Sequence, residues 1–250
     1  MSDLKGKVAL VTGSARRIGA VIVRKLHDAG ATVIVHYRNS SEDAEKLCTE
    51  LNKNRPDSCF LQQAELSNIN ALENMIDSII KQTGKLDILV NNASSFFPTP
   101  LGEITEEHWD NLIGSNLKGP LFLSQAAATE LIKNKGCIVN MIDVHAFRPL
   151  KTYPVYSAAK AGLLMLTQSL ARELGPDVRV NGIAPGAILW PEADDANNIA
   201  AEHLTLIDKT CLKRKGSPED IAKAVLFLIR DADYITGHVI PVDGGRLLNH

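Results

Sequence analysis

Two rhythms of apolar and polar residues alternate along this chain. Short, continuous apolar runs occur at Lys7–Thr12, Thr32–Tyr37, Ser58–Gln63, Ile88–Val90, Cys137–Met141, Val178–Ile183 and His238–Val242. A run that is apolar throughout, rather than at every second position, predicts a parallel strand covered on both faces. Between the runs lie segments with helical spacing. Ile18, Ile22, Val23 and Leu26 mark Gly19–Ala29, which stops at Gly30. Ser41–Lys53 is amphipathic, with Ser40 or Ser41 as its cap. Leu72, Met75, Ile76, Ile79 and Ile80 define Ile69–Gln82, closed by Gly84. Glu106–Leu117 and Leu121–Lys133 read as two helices separated by Gly119-Pro120, and Val155–Leu174 ends at Gly175-Pro176. Pro218–Ile229 begins behind Ser217 with proline in its first turn. Strand and helix alternate with short joins, which predicts an α/β fold: one domain, a parallel sheet and helices on both faces. Residues 186–205 have no strong period. The aperiodic stretch holds Trp190, so it is expected to act as a lid that brings Trp190 to a substrate.

Composition narrows the class. The chain has 250 residues, 45% hydrophobic and 22% charged, and a formal net charge of −2. That balance gives no electrostatic case for nucleic acid or an anionic membrane as partner. No apolar run is long enough to span a bilayer, and the first residues lack the layout of a secretion signal. Cys48, Cys59, Cys137 and Cys211 are widely spaced and form no C-x-x-C. They read as reduced thiols of a cytoplasmic protein. No histidine, cysteine and acid cluster has metal-ligand spacing, so no metal is expected.

The chemistry concentrates between Asp143 and Lys160. Tyr156 and Lys160 are four residues apart on a helix, so they share a face. A cation beside a phenol favours the phenolate, and the pair reads as a proton donor with its modulator. Asp143 follows a strand, thirteen positions before the tyrosine. A second candidate is the turn from Thr12 to Gly19. Glycines between a strand and a helix, here Gly13 and Gly19, let backbone approach a pyrophosphate at the positive helix end. Arg17 stands where a glycine would be expected. After the second strand come His36, Tyr37, Arg38, Asn39 and Ser40, with no acid to hold a ribose 2′-hydroxyl. Arg38, Asn39 and Ser40 can instead donate to a 2′-phosphate, which predicts NADPH.

Together these pieces resemble the short-chain dehydrogenase/reductase family over essentially the whole chain. The resemblance rests on the turn at 12–19, Asn91-Asn92-Ala93, Asn116, Tyr156 with Lys160, Asn181 with Pro185-Gly186, and Val242-Asp243-Gly244-Gly245. It implies a seven-stranded Rossmann-type sheet, a nicotinamide cofactor and a homotetramer. It also implies that Asn116 positions a water in the proton path. Ile18, Glu65, Leu66, Asn92, Ala93, Pro185 and Gly186 would join the residues above in holding the cofactor. Asp143 in place of the usual serine, Arg17 in place of glycine, and the string Asn91–Leu101 are similar to the pteridine reductases. That likeness implies that Phe96 stacks on a pterin, that Ser94 binds the pterin edge and a cofactor phosphate, and that Arg17 reaches both pyrophosphate and pterin. Asp143 would return a proton to Tyr156 or accept from pterin N–H groups. The substrate expected is therefore a pterin or folate. A 3-oxoacyl-carrier-protein reductase, or another carbonyl reductase of the same family, is the alternative. A non-catalytic NADP-binding sensor is a third reading.

Overall fold

A computed structural model describes residues 4–188 and 207–249. Seven parallel strands form one sheet in the order β3-β2-β1-β4-β5-β6-β7. They are β1 (Val8–Val11), β2 (Thr32–Tyr37), β3 (Cys59–Gln63), β4 (Ile88–Asn91), β5 (Cys137–Met141), β6 (Arg179–Pro185) and β7 (Val239–Val242). The helices are α1 (Arg17–Asp28), α2 (Ser41–Asn54), α3 (Ile69–Thr83), α4 (Glu106–Ile113), α5 (Gly119–Lys133), α6 (Pro154–Leu174) and α7 (Pro218–Arg230).

The continuous apolar runs are explained by the two cores. Ala9, Val11, Val33, Val35 and Val139 face a cluster with Ile22 and Leu26 of α1, Leu47 of α2 and Val225 of α7. Val8, Leu10, Ile34, Leu89 and Ile138 face the other side, against Leu72 and Ile76 of α3 and Leu123 and Leu131 of α5. Neighbouring residues of a strand point to opposite faces, so a sheet covered twice needs apolar residues at both parities. The chain winds outward from β1 to β3, then returns to β4 on the other side of β1. That reversal opens a crevice at the carboxyl ends of β1 and β4, where open α/β sheets bind their ligands.

Most predicted boundaries agree within two residues. Gly119-Pro120, however, does not break the helical path. The chain runs on from α4 through a π turn, Gly114–Lys118, into α5, with Pro120 in its first turn. Proline is tolerated there because a first-turn N–H has no partner within its own helix. Ser40 stands at the N-cap position of α2, but no side-chain capping bond forms. Ser217 does cap α7, in a reciprocal pair with Asp220. Trp190 and most of the predicted lid lie outside the described residues.

Candidate active site

The phosphate turn is strapped to its surroundings from two sides. Gly13 adopts a positive φ of 58°, and a Cβ there would come within 2.9 Å of Ala93 Cα. Only glycine meets both conditions without strain. Just past β4, Asn92 donates through Nδ2 to the carbonyls of Thr12 (2.8 Å) and Gly13 (3.1 Å). The N–H groups of Asn92 and Ala93 both donate to Thr12 Oγ1, at 2.9 and 3.0 Å. Asn92 and Ala93 therefore shape the cofactor turn, and the Asn92 side chain is committed to it. Gly19 lets α1 close on the sheet, since a Cβ there would lie 2.6 Å from the Gly13 carbonyl oxygen. Arg17 has a φ of 56°, the left-handed region that glycine favours and that costs other residues roughly 1–2 kcal/mol. An arginine held there by the fold puts a guanidinium at the turn. Ile18 follows it in the first turn of α1.

The end of β2 divides its roles. The His36 side chain is buried, accepting from Gly13 N–H and bonded to the Ala64 carbonyl. Arg38 is exposed and pairs with Glu65 at 3.4 Å, so an acid from the end of β3 answers the cation predicted for a 2′-phosphate. Asn39 and Ser40 lead into α2; Tyr37 is half-buried and Leu66 buried. Arg16, part of the Thr12–Gly19 turn but given no role from the sequence, is exposed at the N-cap of α1. It lines a groove with Arg17, Arg24 and Lys46 beside the turn. No pattern marks Arg16, because an arginine before a helix looks like any solvated charge. Pro185 ends β6, and Gly186 N–H donates to the Val242 carbonyl at 3.1 Å.

Asp143, Tyr156 and Lys160, expected to handle protons, lie together. Asp143 leaves β5 and accepts through Oδ1 from His145 N–H at 2.8 Å, which fixes the carboxylate as the cap of a short 3-10 turn. Its other oxygen accepts from the Tyr156 hydroxyl at 2.8 Å. Lys160 donates to the Met141 carbonyl at 2.8 Å, with its ammonium 5.7 Å from the centre of the tyrosine ring. The expectation that the lysine pulls the phenol down is corrected here. Burial, then the charge and hydrogen bond of Asp143, hold the Tyr156 phenol well above its usual value, while the Ser94 side chain opposes them. Burial in turn brings the Lys160 ammonium down to about 8, partly offset by Asp143. The physical reason is burial of the phenol first, and then the Asp143 carboxylate bonded directly to its hydroxyl.

Asn116 sits in the π turn between α4 and α5. Its Nδ2 donates to the carbonyls of Leu112 (3.0 Å) and Ser95 (2.9 Å), tying the π turn to the loop after β4. Ser94 donates to Asn116 Oδ1 at 2.7 Å. Ser94 is thus tied to the Asn116 side chain. Phe96 follows on the same loop, 46% exposed. Its ring meets Tyr156 edge-on at 4.8 Å and lies stacked on Tyr153 at 4.6 Å and 14°. Tyr153 is a site residue that sequence reading missed. It reaches Phe96 because Thr99 N–H donates to the Thr152 carbonyl at 2.7 Å, joining two loops distant in sequence.

The turn, the glycine cradle and the reversed strand order fit a nicotinamide dinucleotide. A sequence profile of the family described as enoyl-(acyl carrier protein) reductase matches residues 13–246. Pteridine reductase 1 of Leishmania tarentolae is 36% identical over 281 aligned positions, covering 96% of each chain. The 3-oxoacyl-(acyl-carrier-protein) reductase FabG of Staphylococcus aureus (strain Mu50) is 37% identical over 245 positions, covering 97% of this chain and 98% of that one. A solved structure from Sinorhizobium meliloti 1021, provisionally assigned as a short-chain alcohol dehydrogenase, superposes with a TM-score of 0.93 at 34% identity, covering 99% of both chains. This chain belongs to the short-chain dehydrogenase/reductase family. It is an oxidoreductase of that family, and the family's cofactor is a nicotinamide dinucleotide.

Proposed function

We propose that the protein is an NADPH-dependent pteridine reductase, which reduces dihydropterins, dihydrofolate or oxidised pterins to tetrahydro forms. The observation that carries the reading is the Asp143 carboxylate accepting from the Tyr156 hydroxyl at 2.8 Å, beside the half-exposed ring of Phe96. Reducing a ring C=N bond requires a hydride at carbon and a proton at nitrogen. A bound nicotinamide supplies the hydride. Tyr156 gives its hydroxyl proton to the ring nitrogen, and the half-buried Asp143 returns one to the phenolate from solvent. A serine at this position has no acidic proton to return. Phe96, backed by Tyr153, offers a flat face that orients the heterocycle, a contribution of about 0.5–1.5 kcal/mol beyond burial. Arg17 at the turn and Ser94 beside Asn116 would hold the polar edge of such a ring. The preference for NADPH rests on Arg16 and Arg38, with Asn39 and Ser40 as further donors. We further propose a cytoplasmic homotetramer, supported by the family assignment and by the exposed Trp109 and Met165 on helices. Sedimentation of the purified protein tests the assembly.

The second reading, a 3-oxoacyl-carrier-protein reductase, is favoured by the comparable identity to the Staphylococcus aureus enzyme. One assay separates the two. Purified protein is mixed with NADPH and either dihydrobiopterin or an acetoacetyl thioester, and absorbance of the reduced cofactor is followed. The proposal predicts oxidation with the pterin; oxidation with the thioester alone would overturn it. Among the described residues, no helix is long and apolar enough to cross a membrane, and no acid, histidine and cysteine group could hold a metal ion.

A further inference from the structure

The carboxyl end of β2 touches the phosphate turn through two consecutive amides. Gly13 N–H donates to His36 Nδ1 at 2.9 Å, and Ser14 N–H donates to the His36 carbonyl at 2.9 Å. On its other side the ring meets the Ala64 carbonyl through Nε2 at 3.2 Å. The side chain is only 1% exposed. These contacts define the tautomer. A backbone amide can only donate, so Nδ1 is an acceptor and carries no proton; a carbonyl can only accept, so Nε2 carries the hydrogen. The imidazole is therefore neutral, and burial agrees by lowering its pKa to about 4.

We propose that His36 is a positioning residue for the pyrophosphate turn: its imidazole holds Gly13 in the left-handed conformation and ties the turn to the end of β3. This rests on the reading of the turn as a dinucleotide site. Asn92 holds the turn's carbonyls from the β4 side, and His36 holds its amides from the β2 side. A dinucleotide phosphate approaches backbone within hydrogen-bond distance, so a small rotation at Gly13 is felt directly in its affinity. The Gly13 and Ser14 amides are both used internally, which leaves later amides of the turn, toward Ile18, to meet an anion. Ala64 is followed by Glu65, the partner of Arg38. The one ring thus links the turn to the place where the second strand meets the proposed 2′-phosphate.

A simple packing role for a buried histidine makes a different prediction, and three substitutions separate the two. His36→Asn keeps a short acceptor near the position of Nδ1. His36→Gln keeps a distal donor for Ala64 but loses the near acceptor. His36→Leu keeps only bulk. NADPH affinity is measured by fluorescence titration, the thermal midpoint of each protein without cofactor is recorded, and KM and kcat are determined with a substrate the wild type turns over. The proposal predicts that His36→Asn stays within about threefold of wild-type affinity, whereas His36→Gln and His36→Leu weaken it by about tenfold, the effect of one lost hydrogen bond. The loss should fall on KM for NADPH rather than on kcat. If His36→Leu does not fold, the Asn and Gln pair alone decides. Affinity that follows thermal midpoint regardless of the acceptor, or equal affinity in all variants, would overturn the role of His36. A wild type that binds neither NADPH nor NADH would instead overturn the reading of the site together with this one.

Discussion

Exchanging Asp143 for asparagine isolates the carboxylate's chemistry from its structural work. Asparagine keeps an acceptor for His145 N–H, so the 3-10 turn retains its cap. The group facing Tyr156 becomes the amide Nδ2, so a charge-assisted bond accepted from the hydroxyl is replaced by a neutral one donated to it. That change is worth about 1 kcal/mol, or about fivefold in rate, on the usual scale of such bonds. The larger effect is loss of a group that can return a proton to the phenolate. Positioned acids and bases contribute about 10²–10⁴-fold. With a dihydropterin, kcat should therefore fall by about 10³-fold. A carbonyl substrate tests the reasoning from the other side. After burial, the Asp143 charge and hydrogen bond are what raise the tyrosine's pKa, so the amide should make that proton easier to release. Any slow activity with an acetoacetyl thioester should then persist or rise. The assay is NADPH consumption with each substrate at saturating cofactor, alongside a thermal melt to establish folding. A folded variant that reduces the pterin within twofold of wild type, or loses both activities equally, would refute the role assigned to the carboxylate.

Other perturbations test neighbouring features of the account. Phe96→Ala should raise KM for a dihydropterin by about tenfold, from lost stacking and buried area. The thermal midpoint should hardly change because the ring is 46% exposed; unchanged KM would remove Phe96 from the site. Burial brings the Lys160 ammonium down to about 8, so the cation is lost as pH rises through that value. The pH profile of kcat/KM for NADPH reports the free enzyme and should fall above about pH 8; a plateau extending beyond pH 10 would contradict this. His36 is lowered from 6.5 to about 4, so the unfolded chain binds the proton more readily between those values. Its contribution is fully present above pH 6.5 and falls by about 3 kcal/mol as pH drops through 4. Urea melts of wild type and His36→Asn between pH 7 and 4 should converge, and parallel curves would argue against it. Gly13→Ala meets a positive φ and an Ala93 contact at 2.9 Å. It should abolish NADPH binding and lower the thermal midpoint by about 2–8 °C.

Much of the sheet was legible because both of its faces are covered. Val8 and Leu10 serve one core while Ala9 and Val11 serve the other, so the strands stood out as unbroken apolar runs. The Asp143, Tyr156 and Lys160 group was legible through helical spacing and a strand end. The path through Gly119-Pro120 was not. A glycine-proline pair ordinarily breaks a helix, and nothing local announces that Gly119 N–H bonds to the Gly114 carbonyl in a wider turn. Tyr153 and the Arg38–Glu65 pair escaped notice for another reason. Each depends on two segments brought together by the fold, and neither segment carries a periodic signal of the contact. Local spacing predicted that Lys160 would govern the phenol. Burial and the Asp143 carboxylate, thirteen residues away in sequence, govern it instead.

The central claim is that a carboxylate-backed tyrosine protonates a flat heterocycle lying against Phe96. A crystal structure with NADPH and a dihydropterin tests it most directly. The account predicts the pterin ring parallel to Phe96, with a ring nitrogen within hydrogen-bond reach of the Tyr156 hydroxyl and Asp143 still holding that hydroxyl. A pterin bound away from Phe96, or an Asp143 carboxylate turned out of contact with Tyr156, would contradict it.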